Sequence, residues 1–159
     1  MNAIVAVDEN WGIGYQGELL ARISADLRRF KELTTGHAVI LGRKTLQTFP
    51  GGRPLPGREN LIMSTTMDEA PEGAKVFRSL DELLAYAPED AFVIGGESVY
   101  RALLPYCRKV YVTKIHKTFT SDAVFPNLDT LDEWRVTEVG ETLKENGLHF
   151  NYVTYENEG

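Results

Sequence analysis

Cysteine is almost absent from this chain of 159 residues: Cys107 stands alone, so no internal disulfide can form and a reducing compartment suffices. A cysteine that opens an apolar segment reads as buried packing before it reads as a nucleophile. Histidine is scarce as well. His37, His116 and His149 are scattered without metal-ligand spacing, so no metal site is expected. No apolar run approaches the roughly 18–20 residues a membrane-spanning helix needs. The opening stretch Met1-Asn2-Ala3-Ile4-Val5-Ala6-Val7-Asp8 lacks a basic head and soon meets an acid, which reads against a signal peptide. The expected location is therefore cytoplasmic. Positive charge is also in short supply. A net charge of -6 speaks against nucleic acid or an anionic membrane as partner. Any anionic ligand must be held by local cations working against the global field.

What is present is the balance of an ordinary globular protein, with 43% hydrophobic and 25% charged residues. The length fits one domain over residues 1–159, and no repeat, low-complexity tract or linker divides it. Eight segments read as strands: Ala3–Val7, Ala38–Leu41, Asn60–Met63, Lys75–Phe77, Ala91–Ile94, Lys109–Ile115, Trp134–Val139 and His149–Tyr155. Asp8 to Arg22 reads as loop, punctuated by Gly12, Gly14 and Gly17, and Gly51 to Gly57 is loop as well. Four helices fit between the strands. The first has Ser24 as N-cap and runs to Thr34; the others span Lys44–Thr48, the stretch capped by Ser79 up to Tyr86, and Ser98–Leu104. Asn146-Gly147 signals a hairpin turn before the last strand. This pattern predicts a doubly wound α/β fold: a mostly parallel eight-stranded sheet, an antiparallel C-terminal hairpin and about four flanking helices.

In such sheets ligands bind beyond the carboxyl ends of the strands, so the residues that follow each strand deserve scrutiny. Asp26 lies in the first turn of a helix, where an acid commonly serves the helix end. It also borders an apolar stripe of Ile23, Leu27 and Phe30, and a carboxylate there is partly desolvated or has a specific partner. A ligand edge with two adjacent donors, such as the 2-amino-4-oxo face of a pterin, is one such partner. Gly42-Arg43-Lys44-Thr45 places two cations and a hydroxyl at a helix start, a pattern open to a phosphate site or to plain solvated surface. Ile94-Gly95-Gly96-Glu97-Ser98-Val99-Tyr100 allows close backbone approach to a pyrophosphate but lacks the full dinucleotide fingerprint; a tight strand-to-helix turn explains it equally. Arg58 follows the proline-stiffened Arg53-Pro54-Leu55-Pro56-Gly57 loop, which suits a two-pronged hold on a carboxylate, although a surface arginine is the simpler reading.

Each signal is weak alone, but their order along nearly the whole chain resembles dihydrofolate reductase. The resemblance is carried by Ile4-Val5-Ala6-Val7, Trp11-Gly12-Ile13-Gly14, Asp26-Leu27 with Phe30-Lys31, and Gly42-Arg43-Lys44-Thr45. It continues through Arg53-Pro54-Leu55-Pro56-Gly57-Arg58, Ile94-Gly95-Gly96, Tyr111-Val112-Thr113 and Asp122-Ala123-Val124-Phe125-Pro126. It implies reduction of 7,8-dihydrofolate to tetrahydrofolate with NADPH as cofactor, in support of one-carbon metabolism and thymidylate synthesis. Asp26, backed by Thr113, would hold the pterin and form the catalytic pair. Ile4, Val5, Leu27, Phe30, Phe49, Ile94 and Tyr100 would wall the substrate, with Lys31, Arg53 and Arg58 around its glutamate tail. Ala6, Ile13 and Gly14 would meet the nicotinamide. Gly42, Arg43, Lys44 and Thr45 would take phosphates, with Ser64, Thr65 and Arg78 near the adenosine end. Gly95, Gly96, Glu97, Ser98, Val99 and Tyr100 would cradle the pyrophosphate. Asp122 would help hold the Gly12 to Leu20 loop closed.

One segment departs from the family pattern. The usual Leu-Pro-Trp of the active-site loop is replaced by Leu19-Leu20-Ala21-Arg22, and Trp11 lies too early to stand in for the tryptophan. In the implied mechanism hydride passes to pterin C6 and a proton reaches N5 from water, while the protein supplies alignment and charge. Two alternatives stand beside it: another pterin or pyrimidine reductase of the same fold, and a non-catalytic folate- or nucleotide-binding protein. The family also implies a monomer.

Overall fold

A computed structural model describes all 159 residues. In chain order the elements are β1 (Asn2–Val7), β2 (Gly12–Tyr15), β3 (Glu18–Leu19), α1 (Ser24–Thr34), β4 (Ala38–Gly42) and α2 (Arg43–Gln47). Then come β5 (Glu59–Met63), β6 (Ala74–Phe77), α3 (Leu80–Tyr86), β7 (Phe92–Gly95), α4 (Glu97–Leu103) and β8 (Lys109–Ile115). The chain ends with β9 (Ala123–Val124), β10 (Trp134–Val139), β11 (Leu143–Glu145) and β12 (Leu148–Asn157).

The main sheet has the order β10-β12-β8-β1-β7-β4-β5-β6, with β11 paired to β12 outside that path. All pairs from β8 to β6 are parallel, and β12 runs antiparallel to both β8 and β10. The expected architecture is therefore present, with nine strands rather than eight. The ninth is β11, which folds back on β12 around Asn146-Gly147; both turn residues have positive φ, 51° and 80°.

The near-continuous apolar runs of the central strands are explained by burial on both faces. Along β4, Ala38 and Ile40 join one core while Val39 and Leu41 join the other. Likewise Ala3, Val5 and Val7 of β1 face the first core and Ile4 faces the second. Leu83 of α3 with Val99 and Leu103 of α4 close the first face; Phe30 and Leu33 of α1 with Leu46 of α2 close the second.

Two sequence expectations fail here. The segment from Asp8 to Arg22 is not all loop: β2 and β3 form a hairpin that β9 extends into a three-stranded sheet. These strands are only two to four residues long, too short to carry an alternating pattern. Ser24 is not the N-cap of α1. Ile23 occupies that position without a side-chain bond, and the Glu145 carboxylate accepts from the Ser24 and Ala25 amides at 2.6 and 3.1 Å. The cap thus comes from β11, far along the chain. Ser79 does cap α3, accepting from the Glu82 amide at 3.2 Å. Smaller shifts begin α2 at Arg43 and α4 at Glu97, and Pro50–Gly52 forms a single 3-10 turn at the start of the glycine- and proline-rich loop.

Candidate active site

Asp26 is carried by α1 over the end of β8. The Thr113 hydroxyl donates to its Oδ1 at 2.5 Å. Thr113 is only 2% exposed and lies in register between Ala6 of β1 and Tyr152 of β12, so the central sheet fixes the donor. The carboxyl is half-buried. Burial pushes it above the ordinary carboxylate value, while the Thr113 hydroxyl and the charge of Arg29 draw it partly back. Desolvation therefore outweighs the two stabilising partners. The carboxylate beside the apolar stripe is thus both partly buried and held by a dedicated partner.

The apolar walls converge beside it. Ile4, Phe30, Phe49 and Ile94 share one cluster with Leu41, Leu46 and Phe92. Leu27 stays 41% exposed on α1. Val5 differs from expectation: its side chain belongs to the opposite core, leaving only its backbone for the cleft. Tyr100 is 5% exposed, and its hydroxyl donates to the Ile4 carbonyl at 2.7 Å. Burial raises its phenol strongly. It thus braces the middle of β1 rather than offering a proton.

Arg58 is held at the rim. Its Nε donates to the Pro56 carbonyl at 3.0 Å and its Nη1 to Thr34 Oγ1 at 3.1 Å. The loop beneath it is fixed by Asn60, a fully buried side chain absent from the sequence expectations. Asn60 Nδ2 donates to the Leu55 and Arg58 carbonyls at 2.9 Å each, and its Oδ1 accepts from the Leu55 amide at 2.9 Å. Lys31 and Arg53 are exposed.

A second cleft of about 430 Å³ opens where β4 and β7 meet α2 and α4. Gly42, Arg43, Lys44, Thr45, Ser64, Thr65, Arg78, Gly96, Ser98 and Val99 line it, so most residues expected at the phosphates and adenosine converge. Arg43 and Lys44 enter no ion pair with the protein. Arg78 is engaged, donating to the Met67 carbonyl at 2.8 Å. Gly95 has φ +134°, and a Cβ on Gly96 would approach Thr45 Oγ1 to 3.4 Å. The bare turn keeps that corner open. Glu97 is occupied elsewhere: the Val124 amide donates to Oε1 and Arg101 to Oε2, both at 3.0 Å. Ile13 and Gly14 sit on β2, away from the second cleft but beside β1. Asp122 bonds this hairpin as expected, accepting from the Gln16 amide and donating to the Gly14 carbonyl, both at 3.0 Å. Trp11 is core, packed on Phe125 and Tyr155.

The family model described as dihydrofolate reductase matches residues 1–157. This chain belongs to the dihydrofolate reductase family. It is 38% identical to a dihydrofolate reductase of Bacillus subtilis (strain 168), covering 96% of this chain and 92% of the relative. It is 40% identical to one of Mycobacterium leprae (strain TN), over 90% of this chain and 89% of the relative. Among solved structures, a dihydrofolate reductase from Enterococcus faecalis complexed with NADP(H) and RAB-propyl superposes with a TM-score of 0.88 at 35% identity. That match covers 99% of this chain and 96% of the other. Within the dihydrofolate reductase frame, sequence reasoning missed Asn60, Glu145 and Arg29. Only Arg29 left a trace, three residues after Asp26 and so on the same side of α1.

Proposed function

We infer that the chain is an NADPH-dependent oxidoreductase that reduces 7,8-dihydrofolate to 5,6,7,8-tetrahydrofolate. The observation that carries this reading is the Asp26–Thr113 pair, half-buried beside apolar walls on one side of the sheet end, with an uncompensated cationic cleft next to it. The reading takes residues 1–159 as one catalytic unit, working as a cytoplasmic monomer without nucleic acid or membrane. No helix is long and apolar enough to cross a membrane.

The lining of the second cleft fits a phosphorylated dinucleotide. Arg43, Lys44 and Thr45 offer two cations and a hydroxyl for phosphate oxygens, Ser64 is already held by the Thr66 and Met67 amides, and Gly96 leaves room for close backbone approach. When bound, NADPH supplies the hydride that reaches pterin C6. Asp26 accepts from the pterin 2-amino group and N3, and Thr113 fixes which way the carboxylate faces. Ile4, Phe30, Phe49 and Ile94 exclude water from the ring faces. Arg58 takes the carboxylate of the glutamate tail. Its bonds to Pro56 and Thr34 already set its direction, so little ordering cost remains on binding. Ala6, Ile13 and Gly14 line the nicotinamide end through backbone groups.

Oxidation of NADPH by the purified chain, measured with and without dihydrofolate, tests the reading. Turnover that requires dihydrofolate is expected. A preference for a ribosylated pyrimidine, or binding of dihydrofolate without turnover, contradicts it.

A further inference from the structure

One charged group near the acid has no role so far. Arg29 follows Asp26 by three residues on α1. Its guanidinium carbon lies 4.0 Å from the centroid of the Tyr152 ring and 5.9 Å from that of Tyr111. Its Nη1 is shut off from solvent and has no hydrogen-bond partner in the protein. A buried guanidinium nitrogen without an acceptor is costly unless nearby negative potential compensates it. Two tyrosine faces supply part of that potential.

The anion is found by elimination among the groups around Asp26. On α1 itself the cations are Arg28, Arg29 and Lys31, of which Lys31 is exposed toward the far end of the helix. From β11 comes Glu145, which is committed to the Ser24 and Ala25 amides and feels the charge of Arg28. From β8 comes Thr113, already donating to Asp26. From β12 and α4 come the phenols of Tyr152 and Tyr100, each of which senses the Asp26 charge. Glu145 is thus spent on the α1 amides, and Arg29 is set near Asp26 by its place three residues along α1 and by its stacking on Tyr152, the register partner of Thr113.

We propose that Arg29 is a positioning residue of the reductase, a counter-charge clamped on Tyr152 and Tyr111 that steadies the Asp26 carboxylate. This rests on the role given to Asp26 above. Burial alone favours the neutral acid, which accepts poorly from a pterin edge. A fixed cation opposes that tendency, and the tyrosines keep it from swinging out to solvent. Arg29 acts through Asp26.

The test compares Arg29→Met, which keeps length and apolar contact but removes charge, with Arg29→Lys, which keeps charge. The Asp26 carboxyl is titrated by carbon NMR in the full ligand-free chain, a readout independent of turnover. Arg29→Met should raise its midpoint by roughly one pH unit, within the range expected for losing a nearby opposite charge. Arg29→Lys should leave it close to wild type. In the working enzyme the Met variant should raise the KM for dihydrofolate at neutral pH more than it lowers kcat. An unmoved midpoint in Arg29→Met overturns the proposal, and so does an equal shift in both variants, which marks a packing role. If Arg29→Met does not fold, Arg29→Gln makes the same comparison. Failure of the wild-type chain to turn over dihydrofolate is a separate result that strikes the function, not the Arg29–Asp26 coupling.

Discussion

Thr113 donates to Asp26 across 2.5 Å, joining a β8 hydroxyl to an acid from a helix 87 residues earlier. The bond orients the carboxylate and lowers the cost of its charge. Thr113→Val removes the donor while keeping the shape. A hydrogen bond to a charged group is worth about 1.5–3 kcal/mol, so dihydrofolate binding should weaken by roughly tenfold or more. The Asp26 titration should also move to higher pH. Ligand titration across pH checks both, and unchanged affinity contradicts the assignment.

Asp26→Asn should be slower at neutral pH by about 10²–10⁴, the usual contribution of a positioned acid or base. Part of the rate should return in acid, where solvent protonates the substrate. The same variant has a stability signature. Burial raises the folded-state value of Asp26, so the folded chain holds a proton at pH values where the unfolded chain has lost it. Stability contributed at this site is greatest in acid, falls as pH rises through that window and stays lower above it. The ligand-free Asn variant should therefore melt higher than wild type at neutral pH, with the gap closing in acid. Thermal melts over a pH series give the sign.

Arg43→Ala should weaken NADPH by roughly tenfold or more, as expected for a lost charge-assisted bond, and leave NADH nearly unchanged. Direct binding of both dinucleotides decides this. Equal losses would place Arg43 away from the 2′-phosphate.

Asn60→Ala strips three hydrogen bonds from the loop that carries Arg58. Leaving buried backbone groups unpaired costs about 1–3 kcal/mol. The expected outcome is a lower melting temperature together with a raised KM for dihydrofolate and a nearly normal kcat. A loss of stability with an unchanged KM would detach the loop from substrate binding.

The sheet was legible because its central strands are apolar on both faces, as Val39, Ile40 and Leu41 show. Asp26, Arg58 and the Gly95-Gly96 turn were legible as candidates only, each with a ligand-free reading beside it, and it was their order along the chain that pointed to a site. What escaped was built from distant pieces. The α1 cap comes from Glu145, 121 residues beyond Ser24, so no local window contains it. The hairpin of β2 and β3 becomes a sheet only when Ala123 and Val124 arrive. Asn60 reads as an ordinary residue opening a strand, and its three bonds exist only once the proline loop has folded over it.

Glu97 opens α4 directly after Gly96 and bonds away from the cationic cleft. One carboxylate oxygen holds the strand that backs the hairpin, and the helix bearing it starts at the bare glycine turn. A single side chain therefore ties the first turn of α4 to β9, so a substitution at Glu97 removes a support of the β2–β3 hairpin from a position next to the glycine turn.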